Sequence, residues 1–357
     1  MISKAYDMIS LFLDDINEQG IELWGNGHIN ATFRVNTNRD QLFIFQRVNT
    51  HVFPYPEVLI SNHRQLIESF GNHEFMRVPK LARSKRNRFL EYDKEGSPWR
   101  LMEFVMNSQT VEVVHTLDQA YEAGLGFGTF NAGCLHLDLS RFEEAIVDFH
   151  NLSKRMIALS NAAKKDPVSR RTKSEDLINF FEKEYDRLKH LVTMLDNGTI
   201  PLRVVHNDTK VNNLLFRNDR AIAVIDLDTI GPGSIIYDFG DAIRTISNER
   251  AEDEKDLEKV KFNNNFFEAF TRGYLLRIGT HLTPTEQTYL WQSPFYMTLI
   301  MGVRFLTDYL LGDTYYKTGY ADHNLIRSRV QARLIKEMHS NKPEIQNTIK
   351  RYLEYHH

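Results

Sequence analysis

The segment HNDTKVNN, His206 to Asn213, followed by a short hairpin and then IDLD, holds the residue types and spacing best suited to chemistry. Phosphoryl transfer asks for an acceptor that orients the attacking hydroxyl, a cation near the transferred group and oxygen ligands for magnesium. Asp208 fits the acceptor and Lys210, two residues on, the cation. Asn213, five residues after Asp208, and Asp226, at the end of an apolar strand, fit the metal ligands. Asp228 could be a further magnesium ligand or could bind substrate hydroxyls, and both readings stand. His206 reads as a structural brace for this loop. Asn and Asp favour turns anyway, but a turn needs neither a hairpin after it nor a second carboxylate pair at a strand end.

The nucleotide side is expected earlier in the chain. In WGNGHIN, Gly25 and Gly27 lack side chains, so backbone amides there could approach ATP phosphates. In LFIFQRVN no lysine is present, and Arg47 is the cation predicted to contact the phosphates, with Glu57 a possible partner. LMEFV reads as a hinge strand in which backbone groups of Glu103 and Val105 would pair with adenine. For the substrate, Arg304 and Asp308 lie one helical turn apart in an apolar segment and could clamp hydroxyls, with Tyr309, Tyr315 or Tyr316 nearby. An intrahelical ion pair explains that spacing equally well. His28 and Asn30 are lesser candidates, and Asp241 and Arg244 could reach or brace the site.

These residues need a framework. An amphipathic helix is expected at the N-terminus, then strands near 22–25, 31–36 and 42–48, a helix over 56–70, and a hairpin joining 88–93 to 99–105. From about residue 116 the pattern turns helical, over 117–136, 142–161, 174–196, 263–278, 284–311 and 322–339, interrupted by the hairpin 214–227. The expectation is an α+β, bilobal, protein-kinase-like fold: a small β-rich nucleotide-binding lobe over 1–106 and a larger, mainly helical lobe over 107–357 carrying the catalytic loop and the substrate site.

Composition narrows the partners. With 44 basic against 47 acidic residues the formal net charge is -3, which gives no reason to expect nucleic acid or an anionic membrane. The lone cysteine, Cys134, permits no intramolecular disulfide and reads as a buried, inert thiol. No signal-like or membrane-spanning run is read, so a cytoplasmic location is the default, and nothing calls for an obligate protein partner.

HNDTKVNNLLF and VIDLDTIGPGSIIYDFGDAIR resemble the aminoglycoside phosphotransferase superfamily. GNGHINATFRV, FQRVNTHVFPYPE and VRFLTDYLLGDTYYK are similar to its bacterial N-acetylhexosamine 1-kinase branch, over about residues 20–340. The resemblance implies ATP and Mg²⁺ as cofactors and a sugar substrate phosphorylated at its anomeric hydroxyl, in amino-sugar salvage. It implies Asp208 as base, with Asn213 and Asp226 or Asp228 on the metal. An aminoglycoside- or choline-type kinase would use the same machinery on a cationic substrate, and a non-catalytic pseudokinase module is the alternative of another class. A protein kinase is disfavoured, because no APE follows the DFG letters at Asp238 to Gly240.

Overall fold

The computed structural model describes residues 1–25, 29–70 and 76–354. Gly27 and His28 therefore lie outside the described residues. The N-terminal part runs α1 (Ile2–Ile9), β1 (Ile16–Leu23), β2 (Ala31–Thr37), β3 (Leu42–Arg47), α2 (Pro56–Phe70), β4 (Leu81–Ala82), β5 (Glu91–Tyr92) and β6 (Pro98–Glu103). Its strands form an antiparallel sheet in the order β1-β2-β3-β6-β4, with β5 paired to β6. The C-terminal part begins with β7 (Gln109–Thr110), α3 (Leu117–Cys134), α4 (Leu152–Lys165), α5 (Glu175–Asp196) and β8 (Arg203–Val205). It continues through β9 (Leu214–Arg217), β10 (Arg220–Val224), β11 (Gly231–Gly233), α6 (Ile235–Ile246), α7 (Asn264–Ile278), α8 (Pro284–Tyr289), α9 (Ser293–Leu311), α10 (His323–Ser340) and α11 (Lys342–Glu354).

Strand alternation divides the N-terminal sheet into two faces. Phe33, Val35, Phe45, Trp99 and Leu101 are buried with Ala5, Met8 and Ile9 of α1. Trp99 stacks on Phe45 at 5.0 Å between centroids and donates from Nε1 to Asp93. The opposite face carries Thr32, Gln46 and Arg100, whose side chains hydrogen-bond to one another in series.

The C-terminal core is a single large cluster drawn from α3, α5, α6, α7, α9 and α10. Its helices approach closely where side chains are absent: a Cβ on Gly240 of α6 would lie 2.3 Å from the Ser293 carbonyl oxygen. Asn62 and Arg77 are among the residues that bind the parts together. Asn62 of α2, 1% exposed, donates to the carbonyls of Glu143 and Ile230 and accepts from the Glu143 N–H. Arg77 forms a backbone bridge with Ala223 of β10.

Some boundaries differ from the sequence reading. The helix expected over 142–161 starts only at Leu152, capped by Asn151, because Asp148 adopts positive φ and the chain from Phe142 to His150 is irregular. The N-terminal helix is shorter and β1 starts earlier, at Ile16. The span 284–311 is two α-helices, the second restarted at Ser293 and Pro294.

Candidate active site

The loop expected to be catalytic is built between β8 and β9. Asn207 takes positive φ (64°), a conformation Asn tolerates. Its Nδ2 donates to the Thr229 carbonyl at 3.0 Å. The loop is anchored from beneath by Asp238 of α6, which is buried and accepts the N–H groups of His206 (2.9 Å) and Asn207 (2.8 Å). His206 is fully buried; its Nε2 donates to the Ile225 carbonyl at 2.9 Å, leaving Nδ1 to accept from the Asp208 N–H at 3.2 Å. That one ring joins the loop to the strand end carrying Asp226.

Asp208, Lys210 and Asn213 are brought together. Lys210 Nζ lies 3.2 Å from Asp208 Oδ1, and Asn213 Nδ2 donates to Asp208 Oδ2 (3.1 Å) and to its carbonyl (2.7 Å). Burial alone would raise the Asp208 carboxyl. The charge of Lys210 and the hydrogen bonds from Lys210 and Asn213 outweigh it and hold the group below the usual carboxylate range. Asp208 in turn holds Lys210 firmly protonated, well above its ordinary value.

Asp226 adopts positive φ (57°) at the end of β10. Burial, then the charges of Asp228 and Asp208, push its carboxyl up to about 7. So concentrated an anionic site would be relieved by a divalent cation. Among the described residues no group of three or more His, Cys, Asp or Glu side chains converges as a ready cage. Magnesium does not require one, because it is commonly held by one or two protein groups and completed by phosphate oxygens and water. Asn213 and Asp226 fit that mode.

Asp228 is engaged differently from either sequence reading. One oxygen pairs with Arg100 at 2.6 Å, both side chains 3% exposed, and the other accepts from Asn30 at 2.6 Å. It thus joins the metal-side loop to the N-terminal sheet.

On the nucleotide side, Gly25 has φ +75° at the end of β1, a conformation that suits glycine. Arg47 lies in register with Ala31 and Trp99, two residues beyond Phe45, so alternation points it toward the α1-covered face and away from Gln46 and Arg100. The expected phosphate contact from Arg47 is therefore revised. Glu57 accepts from Tyr92 rather than pairing with Arg47. Glu103 pairs with Arg77, and its N–H is taken by the Lys80 carbonyl at 2.8 Å. Val105 is buried, and its N–H has no hydrogen-bond partner among the described residues.

The residues expected to hold substrate depart most from expectation. Asp308 does not pair with Arg304. Its carboxylate accepts the N–H groups of Thr314, Tyr315 and Tyr316 at 2.8–2.9 Å and the Asn324 amide, and so shapes the loop after α9. Tyr309 bonds to Asp322 and carries Arg170 over its ring. Arg304 lies over Phe149 at 4.6 Å, near Tyr316 (5.6 Å) and Tyr315 (5.9 Å), with no carboxylate partner among the described residues. The Tyr316 hydroxyl is buried without a partner among them, and burial pushes its pKa up to about 12, so it stays a hydrogen-bond donor. Asp241 and Glu252, two further carboxylates that act on Lys210, are both bonded to Arg244.

The family model described as "Phosphotransferase enzyme family" (APH) matches residues 20–277, which includes the glycine segment, the catalytic loop and Asp226. The chain belongs to the APH phosphotransferase family. Solved structures agree in fold. An amicoumacin kinase in complex with AMP-PNP and Ca²⁺ is 14% identical, with 95% of this chain and 93% of that one covered at a TM-score of 0.63. A microcompartment-associated aminopropanol kinase is 17% identical (96% and 98% covered, TM-score 0.63). A choline kinase from Cryptosporidium parvum is 16% identical (98% of each, TM-score 0.60). Among the described residues of this phosphotransferase, no helix is long and apolar enough to cross a membrane.

Three structural residues of the phosphotransferase escaped the sequence reading: Arg100, Asp238 as the loop anchor, and His150. His150 is buried; its Nε2 donates to the Asn207 carbonyl at 2.8 Å, and its Nδ1 has no partner among the described residues. Burial lowers its pKa to about 4; the Asn207 bond opposes that shift and the Arg304 charge adds to it. An unfolded histidine takes a proton near 6.5, so the stability His150 confers is complete above that value and is lost as pH falls toward 4. At pH 5 the loss is about 2 kcal/mol. Asp238, pushed up to about 6 chiefly by burial, runs the other way. The comparison must therefore be with His150→Gln, which keeps an amide donor for Asn207. Between pH 7.5 and pH 5, denaturant titrations should shift the stability difference by about 2 kcal/mol in favour of the variant. A pH-independent difference would contradict a buried neutral His150.

Proposed function

We propose that this phosphotransferase transfers the γ-phosphoryl group of ATP, with magnesium, to the anomeric hydroxyl of an N-acetylhexosamine, serving amino-sugar salvage in the cytoplasm. The observation that carries the substrate reading is Arg304. It is held against aromatic rings and free of any carboxylate among the described residues, while Asp241 and Glu252 are both paired with Arg244. A cationic substrate would want unpaired carboxylates here; a neutral sugar wants donors, acceptors and an aromatic face. Arg304 and the unpartnered Tyr316 hydroxyl supply donors, and Phe149 and Tyr315 supply apolar faces.

In this reading Asp208, fixed by Asn213 and Lys210, accepts the proton of the sugar hydroxyl as its oxygen bonds to the γ-phosphorus. The bond from that phosphorus to the β–γ bridging oxygen breaks, and ADP departs. Lys210 stands beside the transferred group and offsets its charge. Asn213 and Asp226 would hold magnesium, which would supply Lewis-acid stabilisation of the charge that develops during transfer. The three named kinases act on amicoumacin, aminopropanol and choline; here the nearby carboxylates Asp241 and Glu252 are already engaged by Arg244, which supports a different choice.

Phosphorus and carbon NMR of reactions with N-acetylglucosamine and N-acetylgalactosamine should show a hexosamine 1-phosphate. Phosphate on carbon 6, or turnover only with an aminoglycoside or choline, would refute the sugar assignment. Arg304→Gln should raise the sugar KM roughly 10- to 100-fold, the cost of lost hydrogen bonds from a charged donor, with the ATP KM within about twofold. An equal loss on both substrates would remove Arg304 from the sugar site.

A further inference from the structure

We infer that Arg100, from β6, is the phosphate-binding cation of the nucleotide cleft, in place of a lysine on β3. The inference rests on the ATP reading above but not on the identity of the sugar. The side chain of β3 that faces the cleft is Gln46, which is neutral. Directly across the antiparallel ladder stands Arg100, with Nε and Nη2 donating to Gln46 Oε1 at 3.0 and 2.6 Å. The charge absent from β3 is thus present one strand over, on the same face. Gln46 is itself fixed by a 3.0 Å bond to Thr32 Oγ1, so the guanidinium is aimed by a rigid relay.

Its surroundings locate the ligand. Asp228, its counter-ion, lies two residues beyond the proposed metal ligand Asp226. Asn30, bonded to the other oxygen of Asp228, lies three residues beyond Gly27 and fixes the Asn49 N–H at 2.9 Å. Arg100 therefore sits between the end of the glycine segment and the metal-side loop. It thus stands beside Asp228 and near enough to Asp226 for its charge to act on that carboxyl. α2 contributes no counter-charge: its His63 is neutral, its pKa lowered to about 4 by burial and then by the charge of Arg100. A guanidinium has five donors in a planar fork. Those directed at Gln46 and Asp228 do not exhaust it, and the fork matches phosphate oxygens.

Isothermal titration with ADP·Mg²⁺ and with adenosine tests this without any sugar. Arg100→Gln should weaken ADP roughly 10- to 100-fold, the range for losing hydrogen bonds to a charged group, with adenosine changed less than about twofold. Adding Gln46→Lys to that variant should recover part of the ADP affinity by returning a cation to β3. If Arg100→Gln does not fold, Arg100→Lys keeps a charge but loses the fork, and should weaken ADP several-fold with adenosine spared. A lower melting temperature with an unchanged ADP-to-adenosine preference, in whichever variant folds, would make Arg100 purely structural and overturn the inference. An unsubstituted protein that binds no ADP would overturn the ATP reading and this inference together.

Discussion

Asp208→Asn should lower turnover by roughly 10²–10⁴-fold, the usual contribution of a positioned general base, while the protein remains folded and binds ADP. The geometry makes this a clean substitution. The Asp208 side chain is held by one amide, from Asn213, and one ammonium, from Lys210, and the Asp208 backbone by His206. An asparagine of the same shape can keep the amide contact through its oxygen and loses the acceptor for the hydroxyl proton. Lys210 would also lose the ion that most strongly holds its charge, so the variant tests base and counter-ion together. Single-turnover measurement at saturating ATP isolates the chemical step. An unchanged rate there would remove Asp208 from the reaction.

Asp226→Asn should cost more, abolishing magnesium-supported turnover, on the order of 10³-fold or beyond, because a metal in such sites stabilises several kcal/mol of developing charge. Its effect on stability should have the opposite sign. Burial, Asp228 and Asp208 all disfavour the Asp226 anion, so removing that charge relieves the metal-free protein and should raise its melting temperature at pH 8. A dead enzyme that is also more stable would separate a functional carboxylate from a structural one. Full activity across a magnesium titration would exclude Asp226 as a ligand, and a destabilised variant would show that its charge is compensated by other groups.

The part of the site legible in the sequence is the part that is local. Asp208, Lys210 and Asn213 lie within six residues, and Asp226 follows across one hairpin, so spacing alone brings them to one place. The N-terminal hairpins and long helices were legible for the same reason, since their periodicity is a short-range property. Arg100 was not, because its role depends on which strand pairs with β3, and β6 arrives more than fifty residues later. Asp308 misled the reading because its helical spacing from Arg304 suggested a pair. The chain after Gly312, itself at φ +95°, folds back and presents three N–H groups to it. Arg47 misled it because a one-residue step along a strand reverses the face. The irregular stretch before α4 carries Phe149 and His150 into the site and lacks any period to betray it.

Asn62 has a bearing on how such an enzyme can be governed. Helix α2 belongs to the first part of the chain by sequence, yet this one amide bonds it three times to the second part, in a place water does not reach. Swinging that helix outward, as an on–off control would require, means breaking all three bonds and stranding buried polar groups at about 1–3 kcal/mol each. An outward swing of α2 is therefore a costly way to govern this molecule.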